Sequence, residues 1–176
     1  MKKDYILKAI GFFILCAVPF GLAQANPMAY AKLKDTQGKK VGFASMIETA
    51  DGVEVVVHVR GLSPGVHGIH FHERGKCEAP DFSSAGSHFN PTGKSHGLKN
   101  PKGPHVGDLP NLHAREDGTA LYKALSPFVT LKEGPNSLLK DGGTALVIHS
   151  GPDDMRSDPA GNSGSRVACG EIQAIE

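Results

Sequence analysis

The stretch that most restricts how this chain can fold is residues 73–115, because it has almost no hydrophobic period. Gly, Pro, Asn and Ser are dense in it, and neither strand nor helix alternation is sustained. A segment this long without structure of its own argues against a compact domain unless something other than an apolar core orders it. It carries His88, His96, His105 and Asp108, all of metal-ligating type. Just before it stands Val66-His67-Gly68-Ile69-His70-Phe71-His72. In a strand, residues two apart point to one face, so His70 and His72 can reach one ion from a stiff backbone. The loop therefore reads as ordered by metal against that strand.

The rest of the chain reads as short strands. Residues 29–33 and 41–47 are the first two, with Gly38-Lys39-Lys40 as the turn between them. Asp51-Gly52 signals a hairpin. Val53, Val55, Val57 and Val59 then share one face, with Glu54, His58 and Arg60 mostly on the other. Strands resume at residues 119–125, at 144–149 after Asp141-Gly142-Gly143, and at 166–172. Phe128, Val129 and Leu131 either continue a strand or plug a barrel end. Short strands between turns, 22 Gly, 12 Pro and no Trp predict an all-β chain. The expected architecture is a Greek-key antiparallel β-sandwich or flattened barrel of about eight strands with two long functional loops. No internal repeat or amphipathic helix is evident, and a net charge of +1 leaves no nucleic-acid footprint.

The first 25 residues have a different composition. Lys2, Lys3 and Lys8 precede an apolar run from 10 to 22, and Ala23-Gln24-Ala25 supplies small residues for processing. This reads as a secretory signal peptide over 1–25, cleaved before Asn26, leaving an exported domain at 26–176 with no membrane attachment. Cys16 lies in the apolar run, and Phe13-Ile14-Leu15 lacks the small residues of a lipoprotein site. Cleavage leaves Cys77 and Cys169, an even count that in an exported chain reads as one disulfide. Metal ligation is the alternative, but histidines are abundant and the two cysteines lie far apart in sequence.

The donor types separate into two kinds. His88, His96, His105 and Asp108 make a suitable tetrahedral set for zinc. His70, His72 and His149 offer imidazoles only, which suits Cu(II). Spacing alone does not say which histidine serves which ion, and it does not separate a redox site from a hydrolytic one.

Four segments, in order, resemble copper/zinc superoxide dismutases. They are Gly65-Val66-His67-Gly68-Ile69-His70-Phe71-His72, Gly86-Ser87-His88-Phe89-Asn90-Pro91, His105-Val106-Gly107-Asp108-Leu109, and Gly161-Asn162-Ser163-Gly164-Ser165-Arg166-Val167-Ala168-Cys169-Gly170. The resemblance implies a β-sandwich fold and a turnover close to the diffusion limit. It implies one copper and one zinc ion per subunit and superoxide as substrate, with copper cycling between Cu(II) and Cu(I). It implies copper ligation by His70, His72, His88 and His149, and zinc ligation by His88, His96, His105 and Asp108. His88 would bridge the ions and handle a proton. Asp153 would link a copper ligand to a zinc ligand, Arg166 would stand beside the copper, and Cys77 and Cys169 would form the family disulfide.

Cys77 follows His72 by only five residues, and the segment after His149 is short and reads Ser-Gly-Pro-Asp-Asp. With the signal peptide, these features resemble the bacterial periplasmic branch. They leave open which charges besides Arg166 steer the substrate, and whether the chain forms a homodimer. His67 reads as a hydrogen-bonded core residue; His58 and His113 read as solvated side chains, as do Lys94, Lys99 and Lys102. A secreted copper/zinc-binding module without turnover is the alternative function. Its discriminants are Arg166 and a bridging His88, which storage does not require. A zinc hydrolase would need an open coordination position, which the four-donor zinc set does not leave.

Overall fold

A computed structural model describes residues 26–175. The signal peptide expected at 1–25 lies outside the described residues. The strands are β1 Met28–Asp35, β2 Lys40–Thr49, β3 Gly52–Val59, β4 Gly65–His67, β5 Ile69–His72, β6 Leu112–Ala114, β7 Ala120–Ser126, β8 Ala145–His149 and β9 Arg166–Ala174. A single 3-10 turn, Ser83–Ala85, is the only helical element among the described residues. No helix there is long and apolar enough to cross a membrane.

Seven strands form one antiparallel sheet in the order β5-β8-β9-β1-β2-β3-β7. The remaining two, β4 and β6, pair with each other. β4 runs into the β5 edge through Gly68, and β6 runs into the β7 edge through the turn at 115–119, so the small ladder connects segments from both edges of the curled sheet. The connections from β5 to β6 and from β7 to β8 are long; the first leaves the sheet for the small β4–β6 ladder, and the second runs from the β7 edge to β8, beside the opposite edge strand β5.

Alternation fills the barrel. Val53, Val55, Val57 and Val59 of β3, Ala44 and Met46 of β2, Ile69 and Phe71 of β5, and Leu146 and Ile148 of β8 are buried in one core. The opposite face of β3 carries Glu54, Val56 and His58, with His58 exposed and stacked on the exposed Phe43 at 4.9 Å. His113 is exposed as well. Both therefore match the solvated reading.

Residues 128–131 plug the barrel rather than extend β7. Val129 and Leu131 enter the core, and the buried Glu48 carboxylate accepts from Leu131 N–H at 2.6 Å and from the Thr130 hydroxyl at 3.0 Å. This satisfies polar groups that a barrel end would otherwise bury unpaired.

The same alternation places the site outside the barrel. With Ile69 and Phe71 facing in, His70 and His72 face out. Ala145 and Val147 also face out and join Phe82, Ala85 and Cys169 in a second, smaller cluster. Cys77 is disulfide-bonded to Cys169 across 92 residues. That crosslink and the small cluster pin the start of the long loop to the outer face of β8 and β9. By chain entropy, a loop of that length adds about 4–5 kcal/mol to stability.

Candidate metal centre

The long loop reaches the histidines of β5 by behaving as a fragment of extra strand. Glu73 N–H donates to Ser87 O at 3.0 Å, Phe89 N–H to Phe71 O at 2.8 Å, and Phe71 N–H to Gly107 O at 2.9 Å. These bonds set His88 opposite His72 and Asp108 opposite His70. A side chain at position 107 would collide with the Phe71 carbonyl, so a glycine is required there. His149 ends β8, next to β5 in the sheet.

Among the described residues, two groups of four donors result: His70, His72, His88 and His149, and His88, His96, His105 and Asp108. In each, one ligand atom per residue lies within 4.8 Å of all the others, and all seven residues are buried.

In the first group the hydrogen bonds fix each tautomer. His70 Nε2 bonds Asp153 Oδ2 at 2.8 Å, His72 Nδ1 donates to Gly86 O at 3.0 Å, and His149 Nδ1 donates to Gly164 O at 3.2 Å. The remaining nitrogens, His70 Nδ1, His72 Nε2, His149 Nε2 and also His88 Nε2, are buried with no partner. An unsatisfied buried polar atom costs about 1–3 kcal/mol. Four converging on one point are not scattered packing faults; they are lone pairs placed where one ion could take all of them. Burial pushes His70, His88 and His149 down to about 4, and His72 well below its usual value, so all four are neutral at pH 7 and ready to ligate.

The second group has the spacing of a tetrahedron. Zinc–nitrogen bonds of about 2.0–2.1 Å imply ligand–ligand edges of about 3.3 Å. His96 Nδ1 and His88 Nδ1 lie 3.0 and 3.2 Å from Asp108 Oδ1. His105 Nδ1 lies 3.4 Å from His88 Nδ1 and 3.6 Å from Asp108 Oδ1. Two ring nitrogens at that separation, both facing a carboxylate oxygen, match the edges of such a shell. The residues fit zinc in this group and an imidazole-loving ion such as copper in the other. His88 belongs to both, through Nδ1 and Nε2.

Asp153 ties the groups together. Its Oδ2 bonds His70, and its Oδ1 lies 3.0 Å from His96 Nε2 and accepts from Met155 N–H at 2.6 Å. Burial works against ionisation of Asp153, but its contacts with His70 and His96 outweigh this and hold it well below the usual carboxylate range. Burial likewise opposes ionisation of Asp108, and His88, His96 and Gly97 N–H overcome it in the same sense. Burial would lower His96, but Asp108 and Asp153 prevail and raise it to about 9.

The sequence assigns no role to three positioning residues; Asn111 and Asp158 lie outside its motifs, and Gly161 only opens one. The Asn111 side chain clamps the Asp153 backbone, accepting from its N–H at 3.0 Å and donating to its carbonyl at 2.8 Å. Asp158 Oδ1 accepts from His96 N–H at 2.5 Å. Gly161 has a φ of +62°, and an added Cβ would overlap the Asp153 carboxylate. Asp154 instead caps a local turn through Arg156 and Ser157 N–H. Among the expected residues, His67 is buried between His149 O at 2.7 Å and Ser63 O at 2.8 Å. Lys94, Lys99 and Lys102 are all exposed, as the solvated reading expects.

Arg166 opens β9 beside the first group. Its Nη1 donates to Phe82 O at 2.5 Å and its Nη2 to Gly86 O at 2.6 Å, the same carbonyl that holds His72. The guanidinium is thus fixed near the imidazoles and half-exposed.

Comparisons with known proteins point to one family. Residues 40–172 match the family model described as copper/zinc superoxide dismutase (SODC). The chain is 55% identical over 147 residues to a protein named Superoxide dismutase [Cu-Zn] 2 of Aquifex aeolicus, covering 82% of this chain and 86% of that one. It is 43% identical to the Superoxide dismutase [Cu-Zn] of Caulobacter vibrioides, covering 82% and 85%. Among solved structures, a superoxide-dismutase-like protein from Bacillus subtilis matches with a TM-score of 0.78 at 41% identity, over 81% of this chain and 96% of that one. The Cu/Zn superoxide dismutase of Brucella abortus matches with a TM-score of 0.69 at 31% identity, over 83% and 99%. With the family match running from β2 into β9, the chain belongs to the copper/zinc superoxide dismutase family.

Proposed function

We propose that the chain dismutates superoxide to oxygen and hydrogen peroxide, with copper held by His70, His72, His88 and His149 and zinc by His88, His96, His105 and Asp108. The observation that carries this is the convergence of four unpartnered imidazole nitrogens, one of them on a ring that also joins the zinc-type group. When bound, copper would supply the one-electron exchange that couples the oxidation of one superoxide to the reduction of another. The chain's own residues do the rest.

His70, His72 and His149 are locked in one tautomer each, so their lone pairs need no reorganisation. His88 is the acid–base group: its Nε2 faces the copper set, and a proton held there is positioned for transfer to reduced substrate. Asp108, His96 and His105 hold the far side of that ring, and Asp153 couples His70 to His96. Arg166 is the docking donor, a permanently charged guanidinium for a small monoanion.

A storage module has no use for a guanidinium fixed at the copper set or for an imidazole shared between sites, and both features favour turnover. The four-donor zinc group leaves no open position for hydrolysis.

Export follows from residues 1–25, with the mature chain starting at Asn26 in the periplasm; intact mass of periplasmic protein tests it, and a mass retaining Met1 to Ala25 refutes it. Function is tested by metal content of the mature protein together with dismutation before and after chelation. Activity should track copper, at one copper and one zinc per chain. A metal-replete protein without activity would sink the proposal. Size measurement on the same material decides between monomer and homodimer.

A further inference from the structure

Beside Arg166 lies a cleft of about 490 Å³ lined by Pro80, Asp81, Ser83, Gly164, Ser165 and Arg166 among others. Asp81 is the one acidic residue in its lining. Its carboxylate is not free to swing, because Oδ1 accepts from Ser83 N–H at 3.0 Å in a tight turn. It makes no ion pair with Arg166 among the described residues, and both Nη atoms of Arg166 are engaged by the Phe82 and Gly86 carbonyls. The two charges therefore share one cleft without forming an ion pair. Hydrogen bonds from Ser83 hold the Asp81 carboxyl below its ordinary value, and Arg166 adds to this, so it stays ionised at neutral pH.

Resting on the reading of Arg166 as the anion-docking group, we propose that Asp81 is a charge-selectivity residue, weakening divalent anions at Arg166 more than monovalent ones. The reason is that repulsion scales with the charge of the anion, while the position of the carboxylate is fixed. For unit charges about 10 Å apart in a water-like medium, Coulomb repulsion weakens a monoanion about twofold and a dianion about fourfold. Superoxide is a monoanion; sulfate and hydrogen phosphate, which a lone guanidinium would hold more tightly, are dianions. The carboxylate thus lets Arg166 attract substrate without becoming a site for the commoner dianions.

Asp81→Asn is the clean test, because an amide oxygen still accepts from Ser83 N–H while the charge is gone. The copper- and zinc-loaded mature protein is titrated with azide, followed by its copper absorption band, and sulfate is titrated as a competitor. At low ionic strength the variant should bind azide about twofold and sulfate about fourfold more tightly, and both ratios should approach one near 1 M salt. Asp81→Ala serves as the control for the turn: it should give the same ratios if charge alone acts. Equal factors for azide and sulfate, or no change at low salt, would overturn the proposal. Because the readout is binding, a wild-type protein that held both metals but failed to dismutate superoxide would remove the proposed activity while the two ratios still decided the role of Asp81.

Discussion

Asp153 offers the sharpest quantitative test of the site. Its two oxygens serve two imidazoles, 2.8 Å from His70 Nε2 and 3.0 Å from His96 Nε2. A carboxylate can accept from both. An amide cannot: Asp153→Asn presents one oxygen and one NH₂, so one ring N–H is left facing a donor. A hydrogen bond to a charged group is worth about 1.5–3 kcal/mol, which corresponds to about 10–150-fold in an equilibrium constant. That agrees with the roughly 10–100-fold range for losing the outer partner of a ligating histidine. Asp153→Asn should therefore weaken mainly one metal, because the amide can orient to keep the other bond. Asp153→Ala should weaken both. Competition against chelators of known affinity, run separately for copper and zinc, measures each loss. Gly161→Ala reaches the same carboxylate from outside, since its Cβ must displace Asp153, and should resemble the Ala variant with Asp153 intact. If Asp153→Ala bound both metals as tightly as the parent, the coupling of the two groups through Asp153 would be refuted.

Asp108→Ala should lower zinc affinity strongly and loosen residues 73–115, measured by chelator competition and backbone hydrogen exchange, while His70, His72 and His149 retain copper in an altered geometry. Arg166→Glu should slow dismutation well beyond Arg166→Lys at full copper occupancy, and should weaken or reverse the fall of rate with added salt that the parent shows; an unchanged rate and slope would make Arg166 structural. For the metal-free protein, His70, His88 and His149 sit at about 4 in the fold against 6.5 when unfolded, so the unfolded state binds more protons in that interval. Their contribution is complete above about 6.5 and is lost as pH falls toward 4. His96, raised to about 9, runs the other way and its contribution is lost as pH rises through 9. Urea midpoints should therefore be highest near neutrality and drop more steeply on the acid side, where His72 and His105, also lowered, add to these three against His96 alone.

How far the sequence exposes this structure depends on the range of the forces involved. The period-two pattern of Val53 to Val59 reports a local preference, and the strand is there. So does the spacing of His70 and His72, which share the outer face. β6 is not legible: Leu112–Ala114 is three residues long, with His113 exposed, and only its pairing with β4 makes it a strand. The approach of His88 to His72 rests on backbone bonds among Phe71, Phe89 and Gly107 that no periodicity encodes. Asp153 and Asp154 are adjacent acids, and composition cannot rank them; the Asn111 clamp turns one inward while Ser157 N–H holds the other at the surface. Residues 128–131 read equally as strand or as plug, because what decides between them is Glu48, 83 positions from Leu131 in sequence.

The barrel and the metal centre are stabilised by different means. The strands supply most of the main core, and the long loop adds only Phe89, Val106 and Leu109 to it. Beyond those three side chains, the loop is held by the Phe82–Ala85 cluster, the disulfide and a few strand-like bonds. Left without ions, it must keep four lone pairs buried and unpaired, and a buried carboxylate, Asp108, beside three imidazoles. Ion binding relieves these costs, so the affinity of the site is partly loop-folding free energy. Such a site is stiff when loaded, which suits a redox reaction that needs little rearrangement of its ligands. The stiffness is set by groups outside the ligand set: Asp153, Asn111, and the carbonyls of Gly86 and Gly164.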